Sequence, residues 1–142
     1  MKKIALMLFM LILLVGNVCF AADGEAVTVY VNGVKVETDV PAVIVSDTTM
    51  IPFRAIFNAL GISDENIVWS EKSQHIEARD GNNYIFMAIG STGAIVNNSL
   101  ITLNTAPYIE NGRTMVPVRF VSEALGALVE WDGEKGSVYI SR

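Results

Sequence analysis

The sequence has very few of the residues that most often build catalytic and metal centres. Its 142 residues include one histidine, His75, and one cysteine, Cys19. A zinc or copper site needs several converging ligands, and a serine nucleophile needs both a base and an orienting group. We therefore predict no metal site, no cofactor and no catalytic residue, and we interpret His75 as a structural or surface side chain.

Scattered carboxylates leave one catalytic alternative open. Paired acids can hydrolyse glycosides. Asp64, Glu65, Glu71 and Glu77 are candidates only because several carboxylates are present, not because they form a motif. They fall in predicted loops or exposed strands, so a small hydrolase is the weakest of the functional interpretations.

Basic residues are also scarce, which argues against nucleic acid as a partner. Without Lys2 and Lys3 in the leader described next, eight basic residues face fifteen acidic ones, a net charge of about −7. A nucleic-acid-binding protein needs a basic face, and the sequence contains no run that would form one. The acidic residues are spread along the chain, which is typical of a solvated surface.

The first 21 residues have the pattern of a secretory signal. Two lysines precede about a dozen apolar residues, and small residues follow. The apolar run is shorter than the ~20 residues that span a bilayer. We expect cleavage after Ala21, a secreted mature chain of residues 22–142 and no stable membrane span thereafter. An uncleaved anchor and a lipid attached to Cys19 are the alternatives.

The mature chain repeats itself. Residues 49–61 align with residues 114–126 at a constant offset of 65 without a gap, and Trp69 then aligns with Trp131 after three residues are lost. Chance similarity does not hold register over this length, so we interpret the chain as an internal duplication. The expected repeats are residues 27–89 and 94–142 of a single domain, with residues 90–93 as a short link or turn.

Each copy predicts the same order of elements. Alternating apolar residues indicate a half-buried strand, and Asn32-Gly33 favours a two-residue hairpin. A short helix follows, with Pro52 or Pro117 at its first position and Gly61 or Gly126 at its left-handed end. Because so short a helix is not stable alone, it must pack on a sheet. Two closing strands follow in each copy, and residues 84–89 add one more; the fold class is α+β, with interlocked copies.

Two arginines and two tryptophans recur at equivalent positions. Arg54 and Arg119 lie in the first helical turn, where the helix dipole disfavours a cation. Each arginine either ties its helix to a carboxylate or loop carbonyl, or binds an anionic ligand through its guanidinium fork. Trp69 and Trp131 either pack at the rim of the core or stack on a sugar.

The repeated motif resembles the copper amine oxidase N-terminal-like domain family, the stalk module of secreted and surface proteins. NGRTMVPVR at 111–119, EALG at 123–126 and VEWD at 129–132 carry the resemblance. The first copy has DTTMIPFR at 47–54, ALG at 59–61 and VWS at 68–70. The resemblance covers essentially the whole mature chain.

This resemblance implies short helices on a twisted antiparallel sheet and a cell-surface setting. It carries over no catalytic residue. The oxidase chemistry belongs to a separate, larger domain with three copper-binding histidines and an Asn-Tyr-Asp/Glu motif. Here Asn83-Tyr84 is followed by Ile85, and only one histidine is present.

We therefore expect a secreted or cell-surface, non-catalytic stalk or interaction module. The alternative is a module that binds cell-wall glycan or peptide through Arg54, Arg119, Trp69 and Trp131. The expected partners are cell-wall components or another surface protein, together with a second copy of the chain paired through exposed sheet edges.

Overall fold

The computed structural model describes residues 26–142. The predicted signal, its cleavage site and Cys19 lie outside these residues. The described part forms thirteen β-strands, two α-helices and one 3-10 turn, Asp64–Asn66. The helices are α1, Phe53–Ala59, and α2, Val118–Ala124. The strands are β1 Ala26–Val31, β2 Val34–Lys35, β3 Ala42–Val45, β4 Thr48–Pro52, β5 Ile67–Ser70, β6 His75–Asp80, β7 Asn83–Ala88, β8 Gly93–Val96, β9 Ser99–Thr102, β10 Tyr108–Glu110, β11 Arg113–Pro117, β12 Leu128–Asp132 and β13 Ser137–Ser141.

The strands form two twisted sheets, so the α+β class is confirmed. One sheet has the order β10-β11-β4-β3-β1-β13-β12, with β2 on the remaining part of β1. The other has the order β5-β6-β7-β8-β9. Pairing is antiparallel except between β1 and β13, which run parallel. That parallel pair was not expected, because it joins the two ends of the described chain and no local turn signal encodes it.

Strands β4 and β11 pair side by side in the larger sheet. Ile51 lies opposite Val116, while Met50 faces Pro117 and Pro52 faces Met115. Exchanging each residue for the one 65 positions away therefore leaves this register unchanged. The pairing gives a local two-fold arrangement centred on Ile51 and Val116.

Both helices continue directly from these two strands. We predicted that Pro52 and Pro117 would be the first helical residues, and this was wrong by one position. Pro52 has an extended ψ of 130° and ends β4, so that α1 begins at Phe53. Strands β4 and β11 were themselves missed, because their consecutive apolar residues, buried on both faces, do not alternate.

The helix ends follow the prediction. Gly61 and Gly126 have φ of +92° and +82°, the left-handed conformation that glycine adopts readily. The N–H of Gly61 bonds to Asn58 O and that of Ile62 to Phe57 O, which is the Schellman pattern.

One cluster of buried side chains joins the two sheets and both helices. The predicted strand alternation is confirmed by Val27, Val29 and Val31, all buried. The apolar stripes of both helices are buried as well, with Ile56, Phe57 and Val121 fully so. Residues 89–92 connect the antiparallel strands β7 and β8, so the predicted link is a turn, and Gly93 is already the first residue of β8. Within residues 26–142, no helix combines the length and apolar character needed to cross a membrane.

Candidate ligand grooves

Arg54 lies exposed on the first turn of α1. Its Nη1 donates a hydrogen bond to Asp64 Oδ1 at 3.3 Å, and its guanidinium carbon lies 5.1 Å from the centre of the Phe53 ring. Asn58 also donates to Asp64, at 3.3 Å. The arginine thus connects the start of α1 to the 3-10 turn after the helix.

Arg119 has the equivalent place on α2, with different partners. Its Nη1 donates to Glu123 Oε1 at 3.1 Å and to the carbonyl oxygen of Val129 at 3.3 Å. Glu123 lies one turn further along the same helix, a spacing at which opposite charges attract. Each guanidinium therefore already has a carboxylate partner within the chain.

The two tryptophans lie in different surroundings. Trp69 on β5 is half-buried, and its ring centre lies 6.3 Å from that of Phe53. Trp131 on the edge strand β12 is 44% exposed. Gly133 follows it closely, and a Cβ atom at that glycine would lie 3.3 Å from the indole Nε1. Because position 133 has no side chain, the Nε1 edge of Trp131 is left uncovered by its neighbour.

Residues 27–89 are called the first half below, and residues 94–142 the second half. Each arginine lines an open groove together with the tryptophan of its own half. The first groove contains Arg54 and Trp69 and has a volume of about 520 Å³. The second groove contains Arg119 and Trp131 and has a volume of about 490 Å³. The four predicted residues are thus brought together in two pairs, and the two grooves share no lining residue.

The two grooves are built from equivalent positions. Each of the eleven residues lining the first groove has a counterpart in the second, at an offset of 65, or of 62 for the tryptophans. The two-fold arrangement of β4 and β11 explains this match, because each groove combines residues from both halves. Arg113 of the second half lines the first groove, and Thr48 of the first half lines the second.

An ion pair distinguishes the first groove. Arg113 donates from Nε to both oxygens of Asp39 at 3.1 Å and from Nη2 to Oδ2 at 2.5 Å. This two-pronged hydrogen bond with the guanidinium lowers the pKa of the Asp39 carboxyl below its usual value, and the same contact raises the pKa of Arg113. The equivalent positions of the second groove hold Asn104 and Thr48, which carry no charge.

The sequence interpretation missed Asp39 and Arg113. Neither residue has a counterpart of the same charge in the other half, so a search for repeated residues passes over them. The available signal was a difference between the halves and not a recurrence. An acidic and a basic residue occupy the first groove at the positions where the second has an amide and a hydroxyl. Only the fold reveals this pairing, since the two residues are 74 positions apart.

His75 lines neither groove. Its Nδ1 lies 2.7 Å from Ser73 Oγ, its Nε2 lies 3.1 Å from Glu77 Oε1, and its ring lies 5.0 Å from that of Phe86. These contacts place it half-buried at the start of β6. In the described part of the chain, no group of three or more His, Cys, Asp or Glu side chains is arranged to hold a metal ion.

Comparison with known proteins identifies the family. No curated protein sequence matches the chain. The family model described as the copper amine oxidase N-terminal domain matches residues 30–140, which span both halves and both grooves. The chain therefore belongs to the copper amine oxidase N-terminal domain family.

Proposed function

We propose that this protein is a non-catalytic interaction module that acts outside the cell, at the bacterial surface. The family match carries the proposal, because the family is the N-terminal domain of copper amine oxidases and these 142 residues are too few to hold their catalytic domain as well. The leader pattern of residues 1–21 supports the location. The matching linings of the two grooves support an origin by duplication, with residues 27–89 and 94–142 as the two copies.

Two measurements on one preparation test this proposal. Fractionation of a bacterium that expresses the full chain should recover it, shortened by about 21 residues, in the envelope or the medium. Recovery of unshortened chain in the cytoplasm alone contradicts the location. Incubation with purified peptidoglycan should release no reducing sugar ends, and their release would show a carboxylate hydrolase instead.

The second candidate function is the binding of cell-wall glycan or peptide. The observation that favours it is the pairing of one arginine and one tryptophan in each groove, since an aromatic surface beside polar groups suits an amphipathic ligand. The chain should then sediment with purified peptidoglycan at low salt. Chain that stays entirely in the supernatant excludes this candidate and leaves the first in place.

Exposed sheet edges support a further partner, a second copy of the chain. The edge strand β9 has no charged residue, and Leu100 on it is 77% exposed. Such an edge lacks the charges that usually prevent strand pairing between chains. Light scattering at high protein concentration should therefore report a dimer, and replacement of Leu100 by lysine should restore the monomer. A monomer at every concentration excludes this partner.

A further inference from the structure

The two grooves occupy equivalent positions and have similar volumes, but they differ in the contacts that a ligand would have to displace. We propose that only the second groove binds, that each chain therefore has one site, and that its ligand is a neutral saccharide unit stacked on Trp131. This inference rests on the second candidate function above and deepens it.

Two contacts occupy the lining of the first groove. The exposed ion pair between Asp39 and Arg113 joins two residues that line it. The indole of Trp69 is tilted by 35° against Phe53, at a distance between ring centres of 6.3 Å. A ligand that stacked on the Trp69 face turned towards Phe53 would have to separate an aromatic pair, and one that used the Arg113 guanidinium would have to displace a two-pronged hydrogen bond.

The second groove lacks both contacts. Asn104 and Thr48 replace the ion pair, and Val118 replaces Phe53. Trp131 is consequently 44% exposed, with no aromatic partner among the described residues. Phe120 adds a second aromatic side chain to this groove, where the first groove has Ala55.

The charges of the second groove disfavour an anionic ligand. Arg119 and Glu123 form an exposed ion pair at 3.1 Å, so the positive charge of the guanidinium is already offset by a carboxylate. Asp47 also lines the groove and forms no ion pair within residues 26–142, so an anionic ligand would be repelled.

The remaining polar lining is uncharged. Thr49, Thr102 and Asn104 offer two hydroxyls and one amide in the groove that Trp131 also lines. A sugar ring has an apolar C–H face and a rim of hydroxyl groups. The C–H face matches the indole, and the hydroxyls match the threonines, the asparagine and the paired Arg119 and Glu123. The groove volume of about 490 Å³ accommodates a short oligosaccharide.

Fluorescence of single-tryptophan variants tests the inference directly, because the chain has two tryptophans, one in each groove. Trp69→Phe leaves Trp131 as the reporter, and Trp131→Phe leaves Trp69. Three soluble probes are titrated: a neutral N-acetylated chito-oligosaccharide, its deacetylated cationic form and an oligogalacturonate. The neutral probe should change the emission of Trp69→Phe and leave that of Trp131→Phe unchanged.

Calorimetry supplies the affinity and the number of sites. The neutral probe should bind the natural chain with a stoichiometry of one, and Trp131→Ala should weaken binding at least about tenfold. Trp69→Phe is the matched control and should bind like the natural chain. Circular dichroism checks that both variants are folded. We expect Trp131→Ala to fold because Trp131 lies on an edge strand.

Each remaining outcome overturns the inference. A stoichiometry of two, or unchanged binding by Trp131→Ala, would show that the grooves are equivalent or that another surface binds. Binding of the cationic probe alone would identify an amine site at Asp47, and binding of the galacturonate alone an anion site at Arg119. Failure of all three probes despite sedimentation with peptidoglycan would leave the second candidate function standing and refute the saccharide groove.

Discussion

The helices α1 and α2 have equal lengths and the same type of C-terminal cap, yet they supply different side chains to the core. Position 57 of α1 is a fully buried phenylalanine, whereas its equivalent in α2 is the fully buried Ser122. Position 53 is a phenylalanine that supports Trp69, whereas its equivalent, Val118, leaves Trp131 exposed. The same backbone thus yields one half whose tryptophan packs on an aromatic side chain and one half whose tryptophan is exposed.

This difference shows which part of each half is free to vary. The cap glycines, the prolines before the helices and the register of β4 with β11 are shared, and they determine the backbone. The aromatic residues on the helices are not shared, and they determine which tryptophan is covered. Four expected results test this comparison, from the largest effect to the smallest.

The largest expected difference is between the two equivalent buried positions of the helices. Phe57→Ala should lower the free energy of unfolding by about 3–5 kcal/mol, because it leaves a cavity in a fully buried site. Ser122→Ala should leave stability within about 1 kcal/mol or raise it, because the Ser122 hydroxyl has no hydrogen-bond partner in the described part of the chain.

Urea denaturation of both variants measures this difference. Similar losses of stability in the two variants would contradict the view that the halves are packed differently.

Replacing the two tryptophans should also lower the free energy of unfolding unequally, with the larger loss again in the first half. The difference should be smaller than that between Phe57→Ala and Ser122→Ala. Trp69→Ala should cost about 2 kcal/mol, since half-buried Trp69 packs on Phe53. Trp131→Ala should cost less than Trp69→Ala, since nearly half of the Trp131 surface is already exposed. Acrylamide should quench Trp131 more strongly than Trp69 in the two single-tryptophan variants. Equal quenching would remove the evidence that the two tryptophans differ in exposure.

The cap glycines should show where the halves agree. Gly61→Ala and Gly126→Ala should each cost about 1–2 kcal/mol, because alanine is strained at positive φ and no nearby atom adds a clash. Gly93→Ala is the control and should stay within about 0.5 kcal/mol, since its φ is not positive and its new contacts, at 3.6 Å and beyond, are ordinary. Unequal losses at the two cap positions would mean that the helix ends are not equivalent.

The smallest effect should come from the ion pair of the first groove. Arg113 holds the pKa of Asp39 below its usual 3.8. The pair therefore stabilises the fold above about pH 3.8, and this contribution is lost as the pH falls through the lowered pKa. The Tm of the natural chain should exceed that of Asp39→Asn at pH 6, and the two values should converge towards pH 2.

Asp47→Asn is the control for this prediction. Asp47 has no ion-pair partner among residues 26–142, so its replacement should change the Tm little at either pH. A constant difference between the natural chain and Asp39→Asn at all pH values would show that the pKa of Asp39 is not lowered by folding.

Much of the fold was predictable because its signals are local. The alternation of Val27, Val29 and Val31, the Asn32-Gly33 turn and the glycines that end the helices each depend on a few neighbouring residues. Strands β4 and β11 were not predicted, because a strand buried on both faces shows no alternation. The parallel pairing of β1 with β13 was not predicted either, because its partners lie at opposite ends of the described chain.

For the candidate site, the sequence by itself determined the residue types and their recurrence. It selected Arg54, Arg119, Trp69 and Trp131, because the offset between the two halves marks them. Tertiary structure decided how these four are paired, which tryptophan is covered, and that Asp39 meets Arg113 across the first groove. The reason is physical: a helix cap or a tight turn is stabilised by residues next to it in the chain. A groove is made by side chains from distant strands, and its accessibility depends on packing that no short stretch of sequence encodes.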